Sequence, residues 1–269
     1  MTGDFRLSPD RIATLFQLVQ RAGDDILQVY RDRSRWHTDR KADDSPVTAA
    51  DLASSKRLVS GLPVILDCPV LSEEAPVPYA RRRHWQYYWL VDPMDGTREF
   101  LHQSDEFVIN VALMHEHQPV FGMVFQPVTG IGWWGGQAVK PQQGRPEHAS
   151  VIQAASVSRQ EPLQVLGSRR SAWQGVWRDR LEAAGYRVDT RSVGSALKFM
   201  LLANGTAHCY PRLGPTSEWD TAAPQAILEA AGGGIVQWDG SPLVYGKEST
   251  LNPEFVAVSD RQLVPVLCR

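Results

Sequence analysis

Apolar residues near the start of the chain recur at three- and four-residue steps, the pattern of an amphipathic helix. The repeat covers residues 12–29 and follows Ser8-Pro9-Asp10, which combines a capping residue, an early proline and an acid in the first turn. A second helix is predicted to begin after a Thr48 cap and to end at Gly61. Between the helices, residues 31–45 are polar and lack an apolar repeat, so we expect a mobile loop. Whether such a loop closes over a bound substrate stays open.

The middle of the chain changes to short runs of β-branched and aromatic residues, which predict strands. Residues 87–91 form a run that reads as a strand buried on both faces. Pro93 removes a backbone donor, so we expect this strand to stop at Asp92. Further strands, the first two forming a hairpin, are predicted at 107–114, 120–125 and 130–136.

The second half of the chain alternates strands with helices, which is typical of an α/β lobe. Strands are predicted at 165–168, 186–188 and 207–210, and helices at 173–184, 194–204 and 218–230. The polar, proline-bearing stretch 142–149 is the candidate boundary between two lobes. We therefore predict an N-terminal lobe over residues 1–145 and a C-terminal α/β lobe over residues 146–269.

Composition narrows the class of protein. The chain has 269 residues, of which 43% are hydrophobic and 22% charged, as in globular proteins with a large core. A net charge of −2 argues against binding to a nucleic-acid polymer. Three widely spaced cysteines, Cys68, Cys209 and Cys268, give no disulfide or zinc pattern, so we expect a cytoplasmic location. No run approaches 18 apolar residues, so no transmembrane segment is expected, while peripheral contact with the inner membrane and the oligomeric state stay open.

Two carboxylates, Asp92 and Asp95, stand three residues apart on a turn that directly follows the buried strand. Thr97 is positioned to begin a short helix through Leu101. Hard cations such as Mg²⁺ bind oxygen ligands, and a helix N-terminus offers free N–H groups to a phosphate. Asp-Pro and Asp-Gly are also common turn dipeptides, so this motif alone supports a structural turn and a metal–phosphate site about equally.

Further acids lie at the ends of predicted elements. Asp51 falls in the first turn of the second helix, Glu73-Glu74 follows a short apolar run, and Asp220 opens a late helix. Each has an ordinary structural explanation, which for Asp51 is a favourable interaction with the helix dipole. Together with the Asp92 turn, they favour a phosphoesterase that uses two or three Mg²⁺ ions.

Several motifs combine in one order along the chain. Asp92-Pro93-Met94-Asp95-Gly96-Thr97 is preceded by Glu73-Glu74 and followed by Trp219-Asp220-Thr221-Ala222-Ala223 before Gly232-Gly233. This combination resembles the inositol monophosphatase superfamily. Within that superfamily the chain is most similar to the bacterial 3′(2′),5′-bisphosphate nucleotidases of the CysQ group, over residues 41–51, 194–199 and 210–216. The resemblance spans nearly the whole chain.

The resemblance implies a fold of mixed α/β class, a layered αβαβα sandwich, and a set of metal ligands. One Mg²⁺ would be held by Glu73, Asp92 and the backbone carbonyl of Met94. Asp92 would bridge to a second Mg²⁺, held also by Asp95 and Asp220. Most of these ligands fall in the predicted N-terminal lobe, and the C-terminal lobe completes the site.

The resemblance also implies the catalytic residues. Asp51 and Thr97 would orient and deprotonate the attacking water, and Glu73 would act with them as a catalytic metal ligand. The amides of Gly96 and Thr97 would hold the phosphate. Glu74 is expected to be a neighbour of the site rather than a ligand. The implied reaction is in-line attack by an activated water, without a covalent phosphoenzyme.

Three residues in the family-like segments, Ser195, Lys198 and Arg212, are candidates for substrate binding. A Lys or Arg there would meet the second phosphate of adenosine 3′,5′-bisphosphate (PAP), remote from the reacting one. Their structural alternatives are a helix cap, a lysine on a helix surface and an exposed loop arginine. Arg98 and Ala196 depart from the family pattern, which commonly has Lys after Asp-Gly-Thr and a second Ser after the first.

The implied function is Mg²⁺-dependent removal of the 3′-phosphate of PAP, giving AMP, in sulfur assimilation. Its sulfated precursor PAPS is a second expected substrate, and Li⁺ is an expected inhibitor. An inositol-phosphate or fructose-1,6-bisphosphate phosphatase on the same fold is the alternative enzyme. A non-catalytic nucleotide-binding scaffold is the alternative of another class, but its expected sign, the loss of a metal ligand or of Thr97, is absent from the sequence.

Overall fold

The computed structural model describes residues 7–32, 38–40, 46–167 and 175–268. The described helices are α1 (Pro9–Arg31), α2 (Ala49–Ile65), α3 (Tyr79–Arg82), α4 (Thr97–Leu101), α5 (Val176–Ala183), α6 (Leu197–Ala203), α7 (Glu218–Ala230) and α8 (Val264–Leu267). The described strands are β1 (Thr38–Arg40), β2 (Pro46–Thr48), β3 (Val70–Ser72), β4 (Tyr87–Asp95), β5 (Val108–His115), β6 (Gln118–Gln126), β7 (Ile131–Gly136), β8 (Val139–Gly144), β9 (Ser150–Val151), β10 (Leu163–Gly167), β11 (Val188–Ser192), β12 (Cys209–Arg212), β13 (Gly234–Gln237) and β14 (Phe255–Val258).

Two large sheets organise the described part of the chain. The first has seven strands in the order β3-β4-β5-β6-β7-β8-β9, antiparallel except for the parallel pair β3 and β4. The second has five strands in the order β11-β10-β12-β14-β13, with parallel and antiparallel pairs. The short strands β1 and β2 form a separate antiparallel pair.

Alternation along the central strands separates two apolar layers. On β4, Trp89 and Val91 pack with apolar residues of α1 and α2. Tyr88 and Leu90 point the other way, into a layer that contains α6 and α7. The two-residue period of a strand produces this division, because successive side chains leave opposite faces of the sheet.

The five-stranded sheet covers the far side of α6 and α7. Its residues Tyr210 and Phe255 share the layer that contains those helices. The opposite face, which includes Val165 and Val256, packs against α5 and α8 through Trp177 and other apolar residues. The order of layers is therefore helix, sheet, helix, sheet, helix, which confirms the αβαβα sandwich that the sequence implied.

The second helix is longer than predicted. α2 begins after the Thr48 cap as expected, but it continues through Gly61 and Pro63 to Ile65. A Cβ at residue 61 would overlap the side chain of Leu18 on α1. The prediction of a helix end at Gly61 is wrong because the glycine permits close contact between two helices rather than a change of chain direction.

The strand that leads to the candidate site also continues further than predicted. β4 passes Asp92 and Pro93 and ends at Asp95, with an irregular register between the two aspartates. A bulge leaves residues unpaired locally, so the missing N–H of Pro93 costs no ladder hydrogen bond. Pairing then resumes between Asp95 and Val108.

Most other elements lie close to their predicted positions, including the hairpin of β5 and β6 and the start of α7. The strands β13 and β14 were not predicted, and α6 begins at Leu197 rather than at Gly194. Within the predicted loop 31–45, residues 38–40 form β1, while residues 33–37 and 41–45 lie outside the described residues, as does the beginning of the predicted helix 173–184.

The seven-stranded sheet extends to Val151, and the two-lobe division at residue 145 stays a prediction. None of the described helices is long and apolar enough to cross a bilayer.

We expect Gly122→Ala to destabilise the protein, because a Cβ at residue 122 on β6 would overlap the backbone carbonyl of Ala223 on α7. Overpacking of this kind costs about 1–3 kcal/mol of unfolding free energy. Urea unfolding would measure the loss. Gly214→Ala is the matched control, because its Cβ would meet only the Arg212 side chain at ordinary contact distances. Equal stability of the two variants would contradict the close approach of β6 and α7.

Candidate metal and active site

The site is built around the end of β4. Asp92 follows Leu90 by two residues, so its side chain leaves the same face of the sheet, toward α6 and α7. The residue is only 2% exposed, and its Oδ1 accepts a hydrogen bond from the backbone N–H of Met94 at 3.0 Å. Ser54 of α2 supports the bulge by donating its hydroxyl to the carbonyl of Pro93 at 2.8 Å.

Asp95 ends β4 and connects it to the segment before α6. Its Oδ2 accepts a hydrogen bond from the backbone N–H of Ala196 at 2.6 Å. Lys198 on α6 is near enough to interact electrostatically with this carboxylate. The backbone between Gly194 and Leu197, which follows β11 of the five-stranded sheet, therefore helps to hold a carboxylate of the seven-stranded sheet.

Asp220 is brought to the same place by α7. Ser217 caps this helix, and Asp220 completes a capping box by accepting the backbone N–H of Ser217 at 2.8 Å. The carboxylate oxygens of Asp92, Asp95 and Asp220 lie within 4.8 Å of one another. The structure thus brings together three of the five predicted metal ligands in an acidic cluster that could hold a metal ion.

Glu73 is the fourth carboxylate of this region. Its backbone N–H donates to the carbonyl of Val91, the residue before Asp92, at 3.1 Å. Glu73 therefore lies beside β4, close to Asp92. Its charge acts on Asp51, Asp92 and Asp220. The acids predicted from separate segments are therefore neighbours, and the roles of Glu73 and of the Met94 carbonyl as ligands stay predictions.

Protonation of the cluster reflects its crowding. Desolvation, followed by the charges of Glu73 and Asp95, raises the pKa of Asp92 well above its ordinary value. Desolvation likewise raises the pKa of Asp95 to about 6, against the favourable charge of Lys198. Desolvation and the charges of Asp95 and Glu73 raise the pKa of Asp220 to about 7. A cation would relieve this repulsion, and an all-oxygen carboxylate set is the one that hard cations such as Mg²⁺ prefer.

Asp51 lies next to the cluster and contacts Thr97 as predicted. The Thr97 hydroxyl donates to Asp51 Oδ1 at 3.2 Å. The other carboxylate oxygen accepts the backbone N–H and the hydroxyl of Thr48, each at 2.7 Å, in a capping box at the start of α2. Burial raises the pKa of Asp51 to about 6, although the hydrogen bonds from Thr48 lower it. Such a pKa suits a group that accepts a proton near neutral pH.

Gly96 fits the turn between β4 and α4 for a steric reason. It adopts φ 101°, where residues with a side chain are strained. A Cβ would also lie 3.1 Å from the Glu106 carbonyl oxygen. α4 begins at Thr97, so the first amides of this helix have no intrahelical acceptor, and they are the groups predicted to hold the phosphate.

The three candidate substrate residues lie near the cluster in different environments. Lys198 is only 4% exposed, and its ammonium donates to the carbonyls of Val193 at 3.1 Å and Ser195 at 2.6 Å. It is therefore not a surface lysine. Desolvation lowers its pKa to about 8, with Asp95 acting in the opposite direction and Arg212 in the same one. Ser195 adopts φ 47°, a left-handed conformation that is uncommon for a residue with a side chain.

Arg212 is the last residue of β12. Its guanidinium donates to the carbonyls of Gly214 at 3.0 Å and Pro215 at 2.7 Å. Arg212 is also close enough to Lys198 to lower the pKa of that ammonium. Two cations that act on each other electrostatically, one of them also acting on Asp95, form an environment suited to a second anionic group.

Three polar contributions to the site were not predicted from the sequence. Ala196 contributes its backbone amide, and the Ser54 hydroxyl donates to the backbone carbonyl of Pro93. Residue identity alone does not reveal contacts of this kind. Asn110, on β5 opposite Asp92, was detectable in principle, because it is the one polar residue within the otherwise apolar run 107–114. A polar side chain in the middle of a buried strand indicates a specific partner.

Comparison with known proteins identifies the family. The model of the inositol monophosphatase family matches residues 9–266. The chain belongs to the inositol monophosphatase family. A 3′(2′),5′-bisphosphate nucleotidase, CysQ, of Salmonella typhimurium is 44% identical over 243 residues, which cover 89% of this chain and 96% of that protein. Its counterpart in Escherichia coli K12 is 43% identical with the same coverage.

Comparison with solved structures agrees with this fold. CysQ from Bacteroides thetaiotaomicron, a bacterial member of the inositol monophosphatase family, is 32% identical and has a TM-score of 0.78, covering 93% of this chain and 96% of its own. The suhB protein of Bartonella henselae also has a TM-score of 0.78, with 95% and 96% coverage, but is 20% identical and shows the fold alone.

The pKa shifts predict how pH changes the stability of this family member when metal is removed. Between the ordinary aspartate value of 3.8 and about 7, the folded protein retains a proton on Asp220 that the unfolded chain releases. The folded state therefore binds more protons, and its stability contribution from Asp220 falls as pH rises through this window. In EDTA, we expect this decline to be smaller in Asp220→Asn by about 1 kcal/mol or more.

Urea unfolding at about pH 5 and about pH 7.5 would measure this difference in each protein. Saturating Mg²⁺ should oppose the decline in the wild type, because a cation favours the charged carboxylates. An identical pH dependence of the wild type and Asp220→Asn in EDTA would contradict the raised pKa of Asp220.

Proposed function

We propose that this chain is a metal-dependent 3′(2′),5′-bisphosphate nucleotidase that hydrolyses the 3′-phosphate of PAP to give AMP and phosphate. The observation that carries the proposal is the arrangement of Lys198 and Arg212 beside the carboxylates of Asp92, Asp95 and Asp220. An acidic cluster beside two cations matches a substrate with one reacting phosphate and one remote phosphate. The names of the 43–44% identical relatives support the same activity.

The proposed metal site uses the carboxylates described above. Asp92, Asp95 and Asp220 would hold Mg²⁺, with Glu73 and the Met94 carbonyl completing the ligands of a second ion. When bound, two or three Mg²⁺ ions supply charge stabilisation for the phosphate and lower the pKa of water at the site. The bulge of β4 and the two capping boxes fix the carboxylates before any ion arrives.

The remaining groups orient the nucleophile and the phosphate. The carboxylate of Asp51 fixes the Thr97 hydroxyl, and this pair would direct a water and accept its proton. Glu73 would assist as a catalytic metal ligand. The amides of Gly96 and Thr97 would donate to phosphate oxygens. In-line displacement needs this kind of fixed orientation more than covalent chemistry, so no phosphoenzyme is required.

The remote 5′-phosphate is assigned to the region of Ser195, Lys198 and Arg212. Lys198 is already bound to two backbone carbonyls, so its charge would attract the phosphate while its contacts hold the Ser195 turn. Two hydrogen bonds hold the Arg212 guanidinium to the carbonyls of Gly214 and Pro215, so its remaining N–H groups can donate to a ligand. PAPS carries the same phosphate groups plus a sulfate and is a further proposed substrate, in sulfur metabolism in the cytoplasm.

Two alternatives predict different substrates. An inositol-phosphate or fructose-1,6-bisphosphate phosphatase would use the same acidic cluster without a nucleotide pocket. A non-catalytic scaffold would release no phosphate from any substrate. The intact cluster and the Asp51–Thr97 hydrogen bond favour catalysis over a scaffold.

Phosphate release from PAP, inositol 1-phosphate and fructose 1,6-bisphosphate, with and without Mg²⁺ and Li⁺, tests the proposal. The expected result is Mg²⁺-dependent and Li⁺-sensitive release with a preference for PAP. A preference for a sugar phosphate would retain the metal site and reject the nucleotide pocket. Absence of release from all three would support the scaffold.

We expect Asp95→Asn to lower kcat by about 100-fold or more, because an amide is a poor partner for a cation and removes a charge from the cluster. The fold should persist, since Asn retains an oxygen that can accept the Ala196 amide. PAP turnover at saturating Mg²⁺ and far-UV circular dichroism would measure both effects. Asp189→Asn, at an exposed position on β11, is the control, and equal turnover by the two variants would remove Asp95 from the metal site.

Arg212→Ala should raise KM for PAP about tenfold or more, since a charge-assisted bond to phosphate is lost. The KM for 3′-AMP, which has no 5′-phosphate, should change far less. Arg191→Ala, at an exposed site on β11, controls for the loss of a positive charge. The same proportional loss on both substrates would exclude Arg212 from the 5′-phosphate pocket.

A further inference from the structure

Asn110 is a buried polar residue that the proposed reaction does not yet use. It lies in β5 with 0% exposure, between Ile109 and Val111. Neither its amide nitrogen nor its amide oxygen makes a hydrogen bond of normal distance and angle within the described part of the chain. An unpaired amide in the interior is costly, and native proteins retain few of them. The residue therefore needs an explanation other than packing.

Strand alternation shows where this side chain points. Ile109 and Val111 belong to the layer beneath α1 and α2, whereas Val108 and Ala112 belong to the layer that contains α7. Asn110 shares its parity with Val108 and Ala112, so its amide is directed toward α7, the helix that supplies Asp220. The acidic cluster lies on this side of the sheet.

Register places the amide next to the metal ligands. Asn110 is the direct cross-strand partner of Asp92 in the antiparallel pair of β4 and β5. Such partners have Cβ atoms about 4.5–5.5 Å apart on one face of the sheet. The Asn110 amide is also near enough to the Asp95 carboxyl to act as a donor toward it. The unpaired amide is therefore directed at the carboxylates of the cluster.

The chemistry of an amide suits this position. It offers two N–H donors and one acceptor oxygen without adding charge. A donor among crowded carboxylates can hold their oxygens in one orientation without adding repulsion. A fifth carboxylate would add repulsion, and an apolar residue would leave Asp92 and Asp95 without a donor on this side.

We propose that Asn110 is a positioning residue of the metal site, whose Nδ2 donates to the carboxylates of Asp92 and Asp95 and whose Oδ1 accepts from a water in the loaded site. The inference rests on the metal site of the proposed function. It adds a residue that binds no ion itself but holds two ligands in an ion-binding orientation. Groups that orient metal ligands in this way typically change metal affinity by about 10–100-fold when removed.

Asn110→Leu tests the proposal, because it removes both polar atoms at similar volume. Mg²⁺ binding to the full-length, metal-free protein would be measured by isothermal titration calorimetry without substrate. We expect the Mg²⁺ dissociation constant to rise about tenfold. The Tm in EDTA, measured alongside, shows whether the variant folds.

Met114→Leu is the matched control, since Met114 lies on the same face of β5, is fully buried and belongs to the apolar layer. Its Mg²⁺ affinity should equal that of the wild type. If Asn110→Leu does not fold, Asn110→Ala removes the same polar atoms without adding bulk, and its dissociation constant should rise likewise.

The dissociation constant decides the outcome. A change below about threefold in the variant that folds would overturn the inference and leave Asn110 a structural residue, whatever happens to Tm. Wild-type protein that binds Mg²⁺ normally would leave the proposed function intact in that case. Wild-type protein that fails to bind Mg²⁺ would overturn both the inference and the metal site on which it rests.

Discussion

Repulsion among buried carboxylates is the constraint on which the rest of this structure depends. Asp92, Asp95 and Asp220 approach within 4.8 Å although each has a raised pKa. Such an arrangement is unfavourable unless other contacts impose it. The bulge in β4, the Ala196 amide and the buried charge of Lys198 supply those contacts. The site is thus held in a state that a cation completes, and pre-organisation of this kind is what catalysis by charge stabilisation requires.

Two of the acids with a proposed functional role, Asp51 and Asp220, also act as helix caps. Asp51 and Asp220 each occupy the third position of a capping box, and each uses one oxygen to accept a backbone N–H. The second oxygen of Asp51 faces Thr97. The structural interpretation of such an acid is therefore correct, and it is compatible with the proposed catalytic one. A short cap orients a carboxylate more firmly than a long flexible side chain would, because the helix axis determines its direction.

The sequence predicted the layers and the acidic cluster but not all of the contacts that hold it. Periodicity identified α1 and the hairpin of β5 and β6 because their apolar faces are continuous. The predicted ends of α2 at Gly61 and of β4 before Pro93 were wrong. A glycine needed for close helix contact and a proline at a bulge have the same local sequence pattern as residues that end a helix or a strand. The role of Ala196 depends on a backbone amide, and the position of Lys198 in the interior depends on tertiary packing. The proposed ligand and substrate roles beyond the observed contacts stay predictions.

The hydrogen bond from Ala196 to Asp95 joins two tasks that are separate in many enzymes. Under the proposed function, the segment that carries Ser195 and leads into α6 recognises the distant phosphate and also orients a carboxylate of the metal site. A change in this segment that alters which substrate is accepted would then also displace Asp95. Substrate range and cation requirement would be linked traits of this protein, so that a variant selected for a new substrate through this segment would also change its response to magnesium.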